Sequence, residues 1–572
     1  MTTIFDAPEE FATTALAGFS SIYARNVRLV KGGVMRSTKV PKGKVAVVVG
    51  GGSGHYPAFA GYVGPGMADA AVAGDVFASP STAAVARVCR VADQGGGVLL
   101  GFGNYAGDVL NFGVAAERLR AEGIDVRIVP VTDDVASASA ETPAKRRGIA
   151  GDLVVFKVAG AAAEAGLNLD EVERVTRLAN DRTVSFGVAF GGCTLPGAKG
   201  PLFTVPKGEM ALGLGIHGEP GIREEKMVSA TEFAKLLVGK LLAERPADVR
   251  KVAPLLNGLG STKYEELFVL WVAIEKELKA AGLEIVDPEC GEFVTSLDMQ
   301  GCSLTLMWLN DELETYWRAA CDAPALRKGA IIATEPATDT LKDDEDAISF
   351  AAASETSRQS GACIARLIGE MAEALKQAED ELGRIDAFAG DGDHGQGMRR
   401  GSAAANDAAK AAVAAGAGAA SVLAVAGDAW ADRAGGTSGA IWGLLLRAWS
   451  NAFNDDAAPT DAAIVDGARR ALDGVTRLGR ARVGDKTLVD ALVPFVETLE
   501  RAFAAGKPLI EAWQAAAKAA TEAAEATSSL TPKLGRARPL AEKSIGHPDA
   551  GAVSLALTAR VAAGVLAQAA KA

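Results

Sequence analysis

From about residue 44 to 190, short β-branched runs alternate with helical stretches; after Ala353 the strand-like runs stop. KVAVVVG, GVLLGFG and VRIVPVTDD are apolar and strand-length, whereas AAERLRAEG and AAAEAGLNLDEVERVTRLAN are helix-like. That alternation predicts βαβ units around a buried, largely parallel sheet. In such sheets ligands sit at the carboxyl ends of the strands. Gly50 to His55 and Gly103 to Asp108 each follow an apolar strand directly, so both loops are expected to open on that edge.

From 191 to 325 the texture changes to glycine-rich turns (GGCTLPG, GLGIHGEPG, LNGLGST) and a strand-like VTSLDMQGCSLTLMWL, which predicts a second α/β subdomain. Residues 326–352 hold prolines, threonines and an acidic run and read as a linker. Beyond it, CIARLIGEMAEALKQAEDEL and PLIEAWQAAAKAATEAAEAT carry apolar residues at helical spacing, interrupted by Gly and Pro. The expected organisation is an α/β unit of two subdomains, 1–190 and 191–325, a linker 326–352 and an all-helical domain 353–572. A chain of 572 residues is too long for one core. No internal repeat of fixed period is present.

Hydrophobic residues make up 49% but aromatics only 6%, so the core must rest on Ala, Val and Leu. A net charge of -12 disfavours nucleic acid and anionic membrane as partners, since either needs a basic face. A phosphate-bearing ligand would then need local cations or a bound metal. The six cysteines are scattered without a CxxC pair, which argues against a zinc site or a disulfide framework. The first residues, MTTIFDAPEEF, lack the basic-then-apolar pattern of a signal peptide. The longest apolar stretch, Ala411 to Gly427, reads as a packed helix of a soluble protein, and a cytoplasmic location is expected.

Histidine is scarce: all four sit in glycine-punctuated motifs, SGH55, GIH217GEPG, GDGDH394G and SIGH547P. Imidazole is the side chain best suited to nucleophile, acid or base at neutral pH. The setting of His217 exposes backbone and side chain together, unlike a packed helix face. His55, in a strand-end loop, and Asp108, in GNYAGD, are a candidate acid/base pair; the plain alternative for Asp108 is a helix N-cap.

Asp386, Asp391 and Asp393 fall within eight residues, with glycines at 390, 392, 395 and 397. Carboxylates this dense repel one another, and a hard cation such as Mg2+, bridging to substrate phosphates, relieves the repulsion. The missing closing glutamate excludes an EF-hand. Gly435 to Gly439 and Gly484 to Thr487 could offer amides and hydroxyls to a polyphosphate. The stretch Gly479 to Thr487 imitates a Walker loop, but Asp485 separates Gly from Lys-Thr and the flanks look helical. VVVGGGSGH imitates a dinucleotide fingerprint, but His55 replaces its third glycine.

These motifs resemble the dihydroxyacetone kinase family over essentially the whole chain. GGGSGH, AGDVFASPS, GNYAGD, GLGIHGEPG, LNGLGST and SLDMQGCSLTL are similar to its substrate half; GDGDHG, GGTSG, GDKT, GRARPL and SIGHPDAGA are similar to its nucleotide half. The resemblance implies a single-chain, ATP-dependent ketose kinase whose helical domain is an eight-helix barrel, working as a homodimer with ATP and Mg2+. It implies that His217 bonds through its ring to the substrate carbonyl as a hemiaminal. Asp108 is then the general base, His55 and Asp108 hydrogen-bond the ketose, and Gly52, Ser53 and Gly54 line the pocket. Asp386, Asp391 and Asp393 match the magnesium ligands. ATP contacts carry over to His394, Gly395, Gln396, Gly397, Thr437, Ser438, Gly479, Leu488, Arg536, Asp549, Ala550 and Gly551. Arg536 and the metal would neutralise charge on the transferring phosphoryl group.

The chain departs from the family's usual residues at Tyr56, Phe59 and Gly103 near the substrate, and at Pro539 and Ala550 in the nucleotide half. The first three replace charged or titratable groups by aromatic surface or by empty volume, which leaves triose against tetrose open and favours a four-carbon ketose such as erythrulose. Three other activities fit parts of the pattern: cyclising FAD-AMP lyase, phosphotransfer from a protein donor with ADP as cofactor, and a non-catalytic ketose sensor. Fusion of the two halves in one chain argues against the second, and the aspartate cluster against the third.

Overall fold

The computed structural model describes residues 2–330, 350, 352–388, 390, 392–479, 481–534 and 541–569. The chain forms two compact units, Met1–Asp343 and Asp344–Ala572.

The first unit holds two large sheets. Strands β1 (Val27–Val30), β2 (Gly33–Arg36), β3 (Ala46–Ser53), β4 (Ala70–Val76), β5 (Val98–Gly103) and β6 (Val126–Val131) line up in the order β1-β2-β4-β3-β5-β6. The four strands β4, β3, β5 and β6 run parallel, while β2 is antiparallel to both β1 and β4. Parallel strands are covered on both faces and so read as continuous apolar runs rather than alternating ones. Every residue of β5 is buried accordingly. One face packs on α2 (Thr82–Ala92) and α3 (Ala106–Ala121) through Val85, Cys89, Phe112 and Ala116. On the other lie α4 (Gly151–Glu164) and α5 (Leu169–Asp181); α1 (Phe11–Ile22) precedes the first strand.

The second sheet takes β7 (Thr183–Ala189), β8 (Glu209–Leu212), β9 (Arg223–Lys226), β10 (Lys251–Gly258), β11 (Glu284–Ile285), β12 (Glu289–Gly291) and β13 (Gly301–Leu309). Its order is β11-β10-β13-β7-β8-β9, with β12 also on β10; from β10 to β9 all neighbours are antiparallel. The chain thus enters this sheet at Thr183, seven residues before the expected boundary at 190. Helices α6 (Ala230–Leu242) and α7 (Tyr264–Ala280) cover one face through Phe233, Leu237, Leu267 and Ile274.

The other face turns to α4. Gly151 to Ala163 are all buried, Asp152 and Lys157 included. A helix apolar all round belongs inside a core, and this one shares a single cluster with Val47, Val49 and Leu99 of the first sheet and Ala253, Leu255 and Met307 of the second. The two subdomains therefore share one core. After the short α8 (Asp311–Arg318), strands β14 (Cys321–Asp322) and β15 (Arg327–Lys328) pair as a hairpin, inside which the expected linker begins; its residues 331–349 and 351 lie outside those described.

In the second unit every described regular element is helical: α9 (Glu355–Gln377), α10 (Glu379–Asp386), α11 (His394–Ala414), α12 (Ala419–Ala434), α13 (Gly436–Ser450), α14 (Asp461–Gly479), α15 (Val489–Ala504), α16 (Leu509–Ala526), α17 (Ala541–Ser544) and α18 (Ala550–Ala569). The apolar stretch 411–427 is not one helix: α11 ends at Ala414, and Gly416, at φ +81°, turns the chain into α12. Small residues let these helices approach closely. A Cβ on Gly427 would lie 3.0 Å from the Gly443 carbonyl oxygen across the α12–α13 contact, beside which Trp430 and Trp442 stack at 4.7 Å. Among the described residues one helical segment, Ala550–Ala567, is long and apolar enough to cross a membrane. Its Ala552, Leu555, Ala556, Ala559 and Ala562 lie in the core of the helical unit.

A Cβ on Gly160 of α4 would lie 2.3 Å from the Met67 carbonyl oxygen. Overpacking of that kind costs about 1–3 kcal/mol, against roughly 1 kcal/mol of helix propensity that alanine gains over glycine. Gly160→Ala is therefore expected to lower the denaturant midpoint of the first unit, not raise it.

Candidate active site

In the first unit, β3 delivers Gly52, Ser53, Gly54 and His55 to its carboxyl end. Gly54 has φ +97°, and a Cβ there would lie 2.9 Å from the Phe77 ring; one on Gly52 would lie 2.8 Å from the Ala78 amide nitrogen. The Ser53 hydroxyl donates to the Gly74 carbonyl (2.6 Å) and so ties β3 to β4. The buried His55 ring stacks on Phe77 at 4.9 Å.

A segment between β12 and β13 is laced to this loop: the Leu297 amide donates to Gly54 O (2.8 Å) and the Thr295 amide to His55 O (3.2 Å). The Ser296 hydroxyl donates to Ile216 O, anchoring the glycine loop of the second subdomain. The two predicted histidines meet there. His55 Nε2 lies 3.0 Å from His217 Nε2, and His55 Nδ1 lies 2.8 Å from the Thr295 carbonyl oxygen. The rings of Phe77 and Tyr105 stand perpendicular to that of His217, at ring-centre distances of 5.2 and 4.7 Å.

Asp108 sits in the first turn of α3, 8% exposed, three residues after Tyr105. The N-cap position is Tyr105, so capping is not Asp108's role. Beneath it Asp152 is pushed well above the usual carboxyl range, by burial first and then by the charges of Asp133 and Asp108.

The three positions that depart from the family pattern near His55 and Asp108 differ in their surroundings. Phe59 is buried in the shared core, its ring under Gly51, and Tyr56 is 50% exposed and rests against Phe19 and Tyr23. A Cβ on Gly103 would meet the Tyr105 ring at 3.1 Å and an Asp152 carboxyl oxygen at 3.4 Å. A side chain at 103 would therefore bear first on the Tyr105 ring.

Motif reading missed Glu219 and its supports. Glu219 Oε1 lies 2.9 Å from His217 Nδ1, and Oε2 accepts from the His217 amide at 3.0 Å. Arg147 stands 3.9 Å from Oε2 and is itself held by Asp134 at 2.7 Å and by Gly213 O at 3.1 Å. The one sequence signal was a carboxylate two residues after the histidine.

In the second unit the residues expected to contact nucleotide cluster at helix ends, most of them N-termini. His394 to Gly397 open α11, Thr437 and Ser438 open α13 after two left-handed glycines (Gly435 at φ +64°, Gly436 at +57°), and Ala550 and Gly551 open α18. Leu488 caps α15, and Gly479 ends α14. The His394 ring braces three of these starts: Nδ1 lies 3.3 Å from Ser438 Oγ and Nε2 3.0 Å from Ser554 Oγ. Burial pushes His394 down to about 4, so its ring is neutral. Gly551 meets α15, where a Cβ would lie 3.4 Å from Leu488 Cβ. Phe388 and His547 stack at 3.5 Å, joining the aspartate loop to the loop before α18. Gathered helix N-termini present amides and positive dipole ends, which suit a polyphosphate.

Asp386 Oδ2 accepts from the amides of Gly392 (2.9 Å) and His394 (3.4 Å), and Asp393 is the N-cap residue of α11. Asp391 and Arg536 lie outside the described residues. Among the described residues no three His, Cys, Asp or Glu side chains form a metal cluster. Asp549 is pushed up to about 7 by burial and by the negative charges of Asp490 and Asp386, with Lys486 opposing, a crowding that a bound cation would relieve.

The imitation Walker loop does not bind as one. Lys486, left-handed at φ +60°, donates to the carbonyls of Leu530 (3.1 Å) and Ser544 (2.6 Å). The amides of Gly484 and Thr487 go to the carboxylate of Asp490, at 2.5 and 2.7 Å.

The chain matches the model of the Dak1 domain over residues 17–325 and that of the DAK2 domain over 388–564. It is 55% identical to D-erythrulose kinase of Mycolicibacterium smegmatis, over 98% of both chains. To L-erythrulose kinase of Pectobacterium atrosepticum it is 52% identical, over 99% of this chain and 97% of the relative. Among solved structures, the dihydroxyacetone kinase from C. freundii in complex with AMP-PNP and Mg2+ aligns over 98% of this chain and 99% of its own, at a TM-score of 0.52 and 30% identity. The chain belongs to the dihydroxyacetone kinase family.

Asp490→Ala leaves two loop amides without their acceptor, a loss of about 1–3 kcal/mol for buried groups. The helical unit should melt at lower temperature and bind ATP several-fold more weakly. Calorimetry and titration of ATP into the full chain read both.

Proposed function

We propose that this protein is an ATP-dependent kinase that phosphorylates the terminal hydroxyl of a short-chain ketose, with erythrulose as its preferred substrate and the ketose held as a hemiaminal on His217. The observation that carries the reading is the position of His217: one ring nitrogen is fixed by Glu219, and the other faces His55 between the perpendicular rings of Phe77 and Tyr105. A neutral imidazole nitrogen adds to a ketone, and the tether holds the terminal hydroxyl in place while rejecting polyols that lack a carbonyl. Asp108 takes the proton of that hydroxyl, and His55 hydrogen-bonds the substrate. Asp386, Asp391 and Asp393 would hold Mg2+, and the helix starts at His394, Thr437 and Ala550, with Arg536, would hold the nucleotide. When bound, ATP supplies the phosphoryl group and Mg2+ offsets its charge. The relatives' names support the four-carbon ketose, one of each hand, at 55% and 52% identity. The working form proposed is a homodimer.

The two halves should fail separately. His217→Ala is expected to abolish the ketose adduct in intact-mass spectra and to cut kcat/KM by at least about 1000-fold while ATP still binds. Asp386→Asn should lose transfer to a similar extent yet keep the adduct. Activity on glycerol equal to that on the best ketose would refute the covalent reading.

On a panel of dihydroxyacetone and both erythrulose enantiomers, the highest kcat/KM is expected on an erythrulose. A hundredfold preference for the triose over both tetroses would overturn that assignment.

A further inference from the structure

Hydrogen-bond direction sets a proton inventory for the histidine pair. The Glu219 carboxylate can only accept, so the hydrogen between it and His217 belongs to His217 Nδ1, 2.9 Å away. The Thr295 carbonyl can only accept, so His55 Nδ1, at 2.8 Å, also carries a hydrogen. The contact between the two Nε2 atoms, at 3.0 Å, needs one more. Two rings with three ring hydrogens carry one positive charge between them, and the Glu219 carboxylate is hydrogen-bonded to the His217 ring.

We propose that Glu219 is a positioning residue for the covalent step: it locks His217 in the Nδ1–H form, leaves Nε2 as the nucleophile, and holds the positive charge that the ring acquires when Nε2 bonds to carbon. This deepens the hemiaminal reading and rests on it. The His217 Nε2 lone pair forms the N–C bond, the carbonyl π pair moves to oxygen, and that oxygen takes the hydrogen from His55 Nε2. The charge passes from His55 to His217, onto the ring that Glu219 faces. No oxidant or further reactant is needed.

The carboxylate is built into place. Arg147 stands beside it, fixed in turn by Asp134 and by the Gly213 carbonyl. Gly215 leaves room for it, since a Cβ there would lie 2.1 Å from Glu219 Oε2. The Gly215 amide donates to the Glu219 carbonyl at 3.0 Å, closing the loop on itself. Burial alone would raise the Glu219 carboxyl, but its pairing with His217 and the charge of Arg147 hold it far below the usual range.

The test uses the full chain labelled with 15N-histidine, in which only four rings must be assigned. In the wild type, long-range proton–nitrogen correlations should show His217 protonated at Nδ1. In Glu219→Ala that signature should move toward the Nε2–H form. Glu219→Gln, which keeps an acceptor but loses the charge, should retain much of the tautomer yet form the erythrulose adduct about 10- to 100-fold more slowly, the scale of one charge-assisted hydrogen bond. ATP binding should be unchanged in both. If both variants keep the wild-type tautomer and adduct rate, the inference is overturned. If the wild type itself forms no adduct, it is the hemiaminal reading that fails, whatever the tautomer. Should the Glu219 variants not fold, Arg147→Met decides: slower adduct formation with ATP binding intact supports the inference, and a wild-type rate refutes it.

Discussion

Helix α4 has no outside. Because Gly151 to Ala163 are buried on every face, both sheets must close on the same helix, and their separation is set by its diameter and side chains. That constraint brings the end of β3 and the loop after β8 together across a 3.0 Å contact between His55 and His217, which belong to different subdomains. The segment 295–297 then laces the two by backbone hydrogen bonds. The covalent chemistry proposed for His217 depends on that packing, since a nucleophile and its acid partner work only when held at hydrogen-bond reach.

The helical unit meets a different demand. A chain of net charge -12 must hold a polyphosphate, and it offers helix starts and a crowded carboxyl set rather than a basic face. The amides at these starts point out of the helix ends whatever the side chains, so small residues serve: glycine at 435, 436 and 551, alanine at 550. Burial and the charges of Asp490 and Asp386 raise the Asp549 carboxyl, and a bound cation would offset that crowding.

Substrate choice is decided less directly than local chain position suggests. Phe59 lies in the shared core beneath β3, and Tyr56 is half exposed. Gly103 bears on Tyr105, whose ring stands perpendicular to His217, and a side chain at 103 would shift that ring by a few tenths of an ångström.

Much was legible from the residues alone because it is local. Apolar runs after which the chain turns at glycine mark parallel strands and their loops, and alanine-rich periodic stretches mark helices, so the α/β and helical halves and the motif histidines follow from short windows. Long-range pairing is not local. The sheet to which β7 belongs, the break at Gly416 in an unbroken apolar stretch, and the burial of Phe59 were settled by packing against residues far along the chain. Glu219 was visible only as a neighbour of His217; its role needed Arg147 and Asp134, some seventy and more residues earlier, and those are brought beside it only by the shared core. Sequence by itself determined which groups could do chemistry, since residue type sets proton affinity and nucleophilicity. Tertiary structure alone decided which of their nitrogens and oxygens face one another, because hydrogen-bond partners come from contacts that no local pattern encodes.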